Sequence, residues 1–463
     1  MTQTAVALAS DAATGFAATS PHERADLLRA LADTLDAHAD ELIALAGDES
    51  HLPPARLTGE LARTTFQLRA FADQVVDGSC FDAVIEHADA DHPLGPRPDL
   101  RRVGGAIGPV LVFAASNFPF AFSVAGGDTA AALAAGCAVV VKAHHGHPRL
   151  SDRVGELLAA AGAPVTVIHG EDEGRAALLD PAIRAAAFTG STAGGRALFN
   201  LATGRPDPIP FYGELGSVNP AFVSPGAVAA RGQAIVEGYV GSFTLGVGQF
   251  CTKPGLLFLP EGHGLADALS EAVAAVTPAP MLGPWIEDRY RATLADRTEH
   301  AAVATVHAGD GAALLTTTVD DMLVDRALLD EEVFGPASMI VEYRDADALP
   351  ALAGAIDGTL TATVHAEPDE GDWAGPLVAR LRHRAGRVVF NGWPTGVAVN
   401  PAMHHGGPWP STTTPLFSSV GGNAIARFLQ PTCFQGMPDD LLPPALQDAN
   451  PLGIRRRIDG ALQ

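Results

Sequence analysis

The stretch that decides the fold is residues 138–168, AVVVKAHHGHPRLSDRVGELLAAAGAPVTVI. It opens on the short apolar run Ala138–Val141, passes through Lys142 and a helical segment, and closes on a second apolar run, Val165–Ile168. Short strands alternating with helices of ten or more residues imply a parallel sheet covered by helices. The alternation extends outward, to Val110–Ala115 before it and Ala185–Phe188 after it. A second series begins near Val218, with strands expected at Gly255–Leu259, Met339–Tyr343, Thr361–Val364 and Val388–Phe390. The class is therefore α/β, and two successive α/β units imply a cleft between them, where such sheets bind ligands. Upstream, Ser20-Pro21-His22-Glu23 reads as a helix start, with leucines at helical spacing until Gly47. A second helix is expected over Pro54–Val76, and the polar, Pro-rich Glu86–Arg102 reads as an excursion from the main body. No internal repeat and no low-complexity tract is visible.

The bulk numbers narrow the function. At 463 residues the chain is too long for one simple core, so two or three domains are expected. A net charge of -23 argues against nucleic acid as a partner, because phosphate contacts need a basic face. No membrane span is expected: the Ala-rich run Thr129–Val141 is too short and is bounded by Asp128 and Lys142. No basic stretch precedes an apolar one at the N-terminus, and four cysteines in so long a chain make no disulfide framework. A cytoplasmic, reduced setting is the expectation, in which a free thiol is chemically useful. Of 30 lysines plus arginines only Lys142 and Lys253 are lysines, so each marks a position that wants a compact ammonium.

Four places carry chemistry. Cys251 follows a Gly-rich approach, Gly241, Gly246 and Gly248, which lets backbone close around a reacting centre. Alone it reads first as a small buried hydrophobe, which most cysteines are. Glu214, between glycines at the end of the first α/β unit, alters that reading. A thiolate adding to an aldehyde gives a hemithioacetal, loss of hydride gives a thioester, and a nearby carboxylate can activate the water that releases the acid. Asn117, in Ala115-Ser116-Asn117-Phe118-Pro119, can donate to the developing oxyanion, or can be a plain turn residue. Phe188-Thr189-Gly190-Ser191-Thr192-Ala193-Gly194-Gly195 ends a strand and opens a helix, which allows a pyrophosphate to approach the helix N-terminus.

Together these segments resemble the aldehyde dehydrogenase superfamily over nearly the whole chain. The Asn117 segment is similar to its Asn-Phe-Pro motif, Gly190–Gly195 to its Gly-x-Thr-x-x-Gly turn, and Lys142 to its ribose-binding lysine. Glu214-Leu215-Gly216 resembles the general-base motif and Gly248-Gln249-Phe250-Cys251 the nucleophile loop, 37 positions apart. Glu331-Glu332-Val333-Phe334-Gly335-Pro336 is similar to the segment that holds the nicotinamide ribose. The resemblance implies catalysis by Cys251, Glu214, Asn117 and Lys142. It implies cofactor contacts from Ala115, Ser116, Lys142, His144, His145, Gly170, Gly190, Ser191, Gly194, Glu214, Leu215, Gly216, Glu332 and Phe334. It also implies a Rossmann-like cofactor domain (1–85 and 103–216), an α/β catalytic domain (217–423) and a small β extension (86–102 and 424–463) joining subunits into a homodimer. The N-terminus departs from the pattern, because relatives start with a further stretch that is missing or shortened here.

Within the superfamily the likeness is to the branch of ketoglutarate semialdehyde and NADP-dependent long-chain aldehyde dehydrogenases. Phe120–Thr129, Asn391–Gly396 and His405-Gly406-Gly407-Pro408 carry it. The substrate pocket is expected to involve Phe118, Phe122, Phe250, Trp393 and Leu416. Branch members often carry Arg where this chain has Leu416, so an apolar, medium-length aldehyde is expected to outperform an acidic one. The sixteen histidines show no ligand spacing backed by a third partner, so no metal is expected. His145 stands where NAD-preferring relatives often place Glu, which favours NADP, whereas Glu171-Asp172-Glu173 favours NAD; the balance tips to NADP. Two other readings stay open: a noncatalytic protein of the same fold, and a coenzyme A-acylating reductase, which would not need Glu214.

Overall fold

In a computed structural model that describes residues 2–463, three sheets organise the chain. The first has the order Val165–Ile168, Val139–Lys142, Val110–Phe113, Ala185–Thr189, Phe211–Glu214, with every pair parallel. Its central strand, Val110–Phe113, is buried at all four positions, as a parallel strand covered on both faces must be. The expected strands are all present. Phe211–Glu214 is a further one that has no apolar run to announce it. Lys142, Thr189 and Glu214 end their strands, so they share the carboxyl edge where open parallel sheets bind ligands.

The second sheet runs Ala304–Ala308, Ala313–Thr318, Ala337–Tyr343, Leu256–Pro260, Ala221–Val223, Thr359–His365, Ala385–Phe390. Only its first pair is antiparallel. Ala304–Ala308 and Ala313–Thr318 lie outside the sequence expectation, and the first of these is largely exposed. Both large sheets have apolar cores on both faces. The third sheet joins the two distant stretches of the chain: Leu429–Gln435, Leu100–Ala106, Val84–Glu86, Arg457–Ile458, Ala461–Leu462. Ala83, Ile85, Leu442, Leu446 and Ile454 form its small core.

At the N-terminus Ser20 caps the helix Pro21–Ala37 with the expected reciprocal pair of bonds to Glu23. That helix does not run to Gly47. His38 leaves helical geometry, its ring Nδ1 donates to the Thr34 carbonyl at 2.8 Å, and a new helix runs Ala39–Ser50. The helix Pro54–Asp77 follows as expected, and Thr2–Ala17 is a helix not anticipated from the sequence.

One long return decides the site. After Ala385–Phe390 the chain leaves the second sheet and passes back to the first. There Thr412 bridges Glu214, Ser411 O accepts from Leu215 N–H at 2.8 Å, and the short helix Gly422–Phe428 packs on the helix Gly127–Ala135.

Candidate active site

The loop before Cys251 is held in an expensive conformation. Gly246, Val247 and Gly248 all take positive φ, at 58°, 60° and 65°. Glycine adopts this freely, but for the β-branched Val247 it costs about 1–3 kcal/mol, so the surroundings must enforce it. They do so from two sides. A Cβ at Gly248 would stand 2.1 Å from the Gly335 carbonyl oxygen, so the loop lies directly on the Glu331–Pro336 segment. Fully buried Asn219 donates from Nδ2 to the carbonyls of Cys251 at 2.7 Å and Lys253 at 2.9 Å. Its Oδ1 accepts from Ser217 Oγ at 2.7 Å and from the Thr361 N–H at 3.1 Å. Lys253, also buried, donates to the carbonyls of Val333 at 2.6 Å and Ala337 at 2.7 Å.

The thiol faces a histidine. Cys251 Sγ lies 3.6 Å from His405 Nε2, and the same nitrogen lies 2.8 Å from Glu214 Oε1. The Ser419 hydroxyl donates to the other carboxylate oxygen. Glu214 and His405 are both buried. Burial, then the negative Glu214 and Glu332, push the thiol well above its ordinary range, while Arg63 pulls it back. Burial also works to raise Glu214. The nearby His405, the Ser419 bond and Arg427 together outweigh it and hold the carboxyl below its usual range. The result is a protonated nucleophile, an ionised acceptor and an imidazole nitrogen between them. A proton leaving Sγ can pass onto Nε2, and the imidazolium so formed lies 2.8 Å from the ionised Glu214 Oε1, whose charge stabilises it. These three side chains place one potential ligand atom each within 4.8 Å, a convergence that sequence spacing did not show.

Beside the thiol opens a cavity of about 1050 Å³, lined by Cys251, Glu214, Asn117, Lys142, His144 and His145 among others. Pockets of about 300–1,000 Å³ hold drug-sized ligands, so this one has room for a dinucleotide. Asn117 donates one amide hydrogen to Gln249 O at 3.0 Å and keeps the second for the cavity. The helix Thr192–Thr203 points its N-terminus at the cavity, with Ser191 Oγ accepting from Gly194 N–H at 3.3 Å. Its first turn is therefore suited to a pyrophosphate. At Gly216 a Cβ would come 2.7 Å from Glu332 Oε2, so only glycine lets the Glu214–Gly216 backbone and the Glu332 carboxylate close on one ligand. Ala115, Ser116, Gly190, Leu215 and Phe334 line the same cavity. Of the expected cofactor residues Gly170 alone does not; its neighbour Glu171 does, facing Lys142. His144 stacks on His145 with ring centroids 4.3 Å apart, and Trp285 covers His145 edge-on at 4.5 Å. Burial, reinforced by His147, His145 and Lys142, drives His144 down to about 2. Burial and Lys142 also lower His145, so both rings meet a ligand as neutral N–H donors and not as cations.

Three of the five expected pocket residues form one aromatic wall. Phe118 meets Phe250 at 5.2 Å and Phe122 at 5.3 Å, both edge to face, and Arg56 and Arg63 stack on the wall. The other two are placed elsewhere. Trp393 packs in the core of the second sheet against His365 at 4.5 Å and Tyr239 at 5.7 Å. Leu416 is 86% exposed, so the inference from its apolar side chain to an apolar substrate loses its physical basis. His405, Ser419, Asn219 and Arg63 are contributors that spacing did not reveal. Asn219 left one trace, since Asn before Pro220 suits a turn, and it takes φ 50°.

Residues 1–431 match the aldehyde dehydrogenase family. The chain is 46% identical to alpha-ketoglutaric semialdehyde dehydrogenase 2 of Azospirillum brasilense, covering 98% of this chain and 90% of that protein. It is 40% identical to alpha-ketoglutaric semialdehyde dehydrogenase of Acinetobacter baylyi, over 96% of this chain and 88% of the relative. Among solved structures, a lactaldehyde dehydrogenase superposes with a TM-score of 0.80 at 20% identity, covering 94% of this chain and 90% of the other. The methylmalonate-semialdehyde dehydrogenase of Oceanimonas doudoroffii does the same, with TM-score 0.80, 20% identity and coverage of 94% and 90%. Both likenesses speak to the fold.

Proposed function

The chain belongs to the aldehyde dehydrogenase family, and on that premise we propose that it oxidises a short aldehyde bearing a carboxylate, of the 2-oxoglutarate semialdehyde type, to the acid. As a member it is an NAD(P)-dependent oxidoreductase acting on aldehydes. The observation that carries the reading is the Cys251–His405–Glu214 cluster, whose thiol and carboxylate residues line a cavity with room for a dinucleotide.

The thiol proton passes to His405, whose positive charge the nearby Glu214 carboxylate stabilises, and the thiolate adds to the aldehyde carbon. The resulting oxyanion faces the free N–H of Asn117. Lys142, Glu332 and the Gly190–Gly194 turn would hold the nicotinamide cofactor, which would supply the hydride acceptor for that carbon. Cys251 then carries a thioester. After His405 has released the thiol proton to solvent, the ionised Glu214, oriented by Ser419, takes a proton from water as the water oxygen adds to the thioester carbonyl. Collapse of the adduct expels the Cys251 thiolate and releases the acid. Transfer to a second thiol would not need Glu214 to activate water, so Glu214 supports hydrolysis over transfer to coenzyme A.

The acidic substrate is supported by the two relatives matched over nearly the whole chain, both alpha-ketoglutaric semialdehyde dehydrogenases. NADP is proposed ahead of NAD. Lys142 and the His145 N–H offer a ribose phosphate two donors, and Glu171, which faces Lys142, keeps the preference small. The small third sheet is proposed as the contact between two subunits.

The test is release of NADH and NADPH from 2,5-dioxopentanoate, pentanal and benzaldehyde, with and without coenzyme A. The acid is expected to exceed pentanal roughly tenfold or more in kcat/KM, about 1.4 kcal/mol of transition-state binding. Coenzyme A should be without effect, kcat/KM for NADP should exceed that for NAD, and Cys251→Ser should abolish oxidation. A strict requirement for coenzyme A would replace hydrolysis with acyl transfer.

A further inference from the structure

A carboxylate entering a partly buried chamber needs a cation with free donors, because its desolvation is otherwise uncompensated. Most cations around the thiol are committed to protein partners. Arg56 donates to Asn117 O at 2.8 Å and pairs with Glu60 at 3.7 Å. Arg387 donates to the carbonyls of Pro394 and of Gly396. Lys253 holds two carbonyls, and Arg427 pairs with buried Asp128 at 2.7 Å.

Arg63 is different. It projects from the helix Pro54–Asp77, is half-buried, and makes no hydrogen bond or ion pair among the described residues. Its guanidinium stacks over the ring of Phe122 at 5.4 Å. Phe122 meets Phe118, Phe118 meets Phe250, and Phe250 is the residue before Cys251, so an unbroken aromatic wall runs from the nucleophile to this cation. Stacking fixes the plane of the guanidinium and leaves its edge, the bidentate fork that matches a carboxylate, unspent.

We propose that Arg63 receives the distal carboxylate of the substrate while the aldehyde carbon sits at Cys251, which makes it the residue that selects acidic aldehydes. The inference rests on the acidic-substrate reading above and names the group that produces it. The electrostatics agree. Burial depresses the Arg63 guanidinium, and Glu60, Cys251 and Glu214 act against that, so its charge is felt at the reacting centre. The sequence reading looked for this cation near Leu416, some 350 positions away along the chain. The structure supplies one from a helix that precedes every recognised motif.

The experiment compares 2,5-dioxopentanoate with pentanal, which has the same chain length and no carboxylate, on wild type, Arg63→Met and Arg63→Lys. The acid-to-pentanal ratio of kcat/KM is expected to fall roughly thirtyfold or more in Arg63→Met, chiefly through KM for the acid, as loss of a charged bidentate contact requires. Arg63→Lys should recover part of it, keeping charge without the fork. Arg63→Gln carries the same comparison if the Met variant cannot be purified. A wild type that prefers the acid, with a ratio unchanged in the variants, overturns the role of Arg63 and leaves the substrate class standing. A wild type indifferent to the carboxylate overturns the substrate class, and the role of Arg63 with it.

Discussion

At the scale of single residues, the site separates two proton tasks. In the proposed mechanism His405 takes the thiol proton and so governs the first chemical step, while Glu214 serves the second as the ionised base beside the thioester. Rapid-mixing kinetics separate them. Glu214→Gln should release about one NAD(P)H per site in a burst and then stall, with steady-state kcat down about 10²–10⁴-fold. His405→Gln should instead slow the burst itself. The Cys251 thiol is held above its ordinary range, so its reaction with iodoacetamide should rise with pH into the alkaline region. Loss of the imidazole should move that rise further up. Equal burst rates in wild type and His405→Gln would remove His405 from the mechanism and leave water to carry the proton.

At the scale of elements, the nucleophile loop is a strained segment clamped by its neighbours. Its own sequence cannot hold Val247 at positive φ; Asn219, Lys253 and the close contact of Gly248 with Gly335 do so. Asn219→Ala removes both bonds to the carbonyls of Cys251 and Lys253 and leaves those acceptors buried. It should lower unfolding free energy on the order of 3 kcal/mol in denaturant titration. It should also reduce kcat by more than it changes KM for the cofactor, whose binding edge belongs to the other sheet. Undiminished stability would mean that water or a shifted loop satisfies those carbonyls.

At the scale of the whole molecule, two α/β sheets supply the two walls of the site, and a third, built from residues far apart in sequence, packs against the core of the first through Val103, Ala106 and Leu429. Its edge strand Leu429–Gln435 is largely exposed and pairs only with Leu100–Ala106. An unpaired, exposed edge is a template for a second copy. Light scattering at micromolar protein should give the mass of two chains. The mass of one would reassign the third sheet to a role within the subunit.

Periodicity and turn chemistry were enough to read the α/β class, the parallel strands with apolar runs and the Ser20 cap, because those signals are local. Local motifs likewise placed Cys251, Glu214, Asn117, Lys142 and the Gly190–Gly194 turn, since each sits at a strand end or helix start that its neighbours specify. Phe211–Glu214 and Ala304–Ala308 escaped because a short or exposed strand carries no distinctive pattern. The break at His38 escaped because a leucine period continues across it. His405 lies 154 positions from Cys251, and nothing in the intervening chain encodes their meeting. It follows from the return of the chain to the first sheet, fixed by backbone bonds at Ser411 and Thr413. Arg63 and Leu416 show the same division from opposite sides. The family resemblance put Leu416 at the pocket and said nothing of Arg63. Packing left the first in solvent and set the second on the aromatic wall beside the thiol, because side-chain proximity across a fold depends on how distant elements pack and not on their order along the chain.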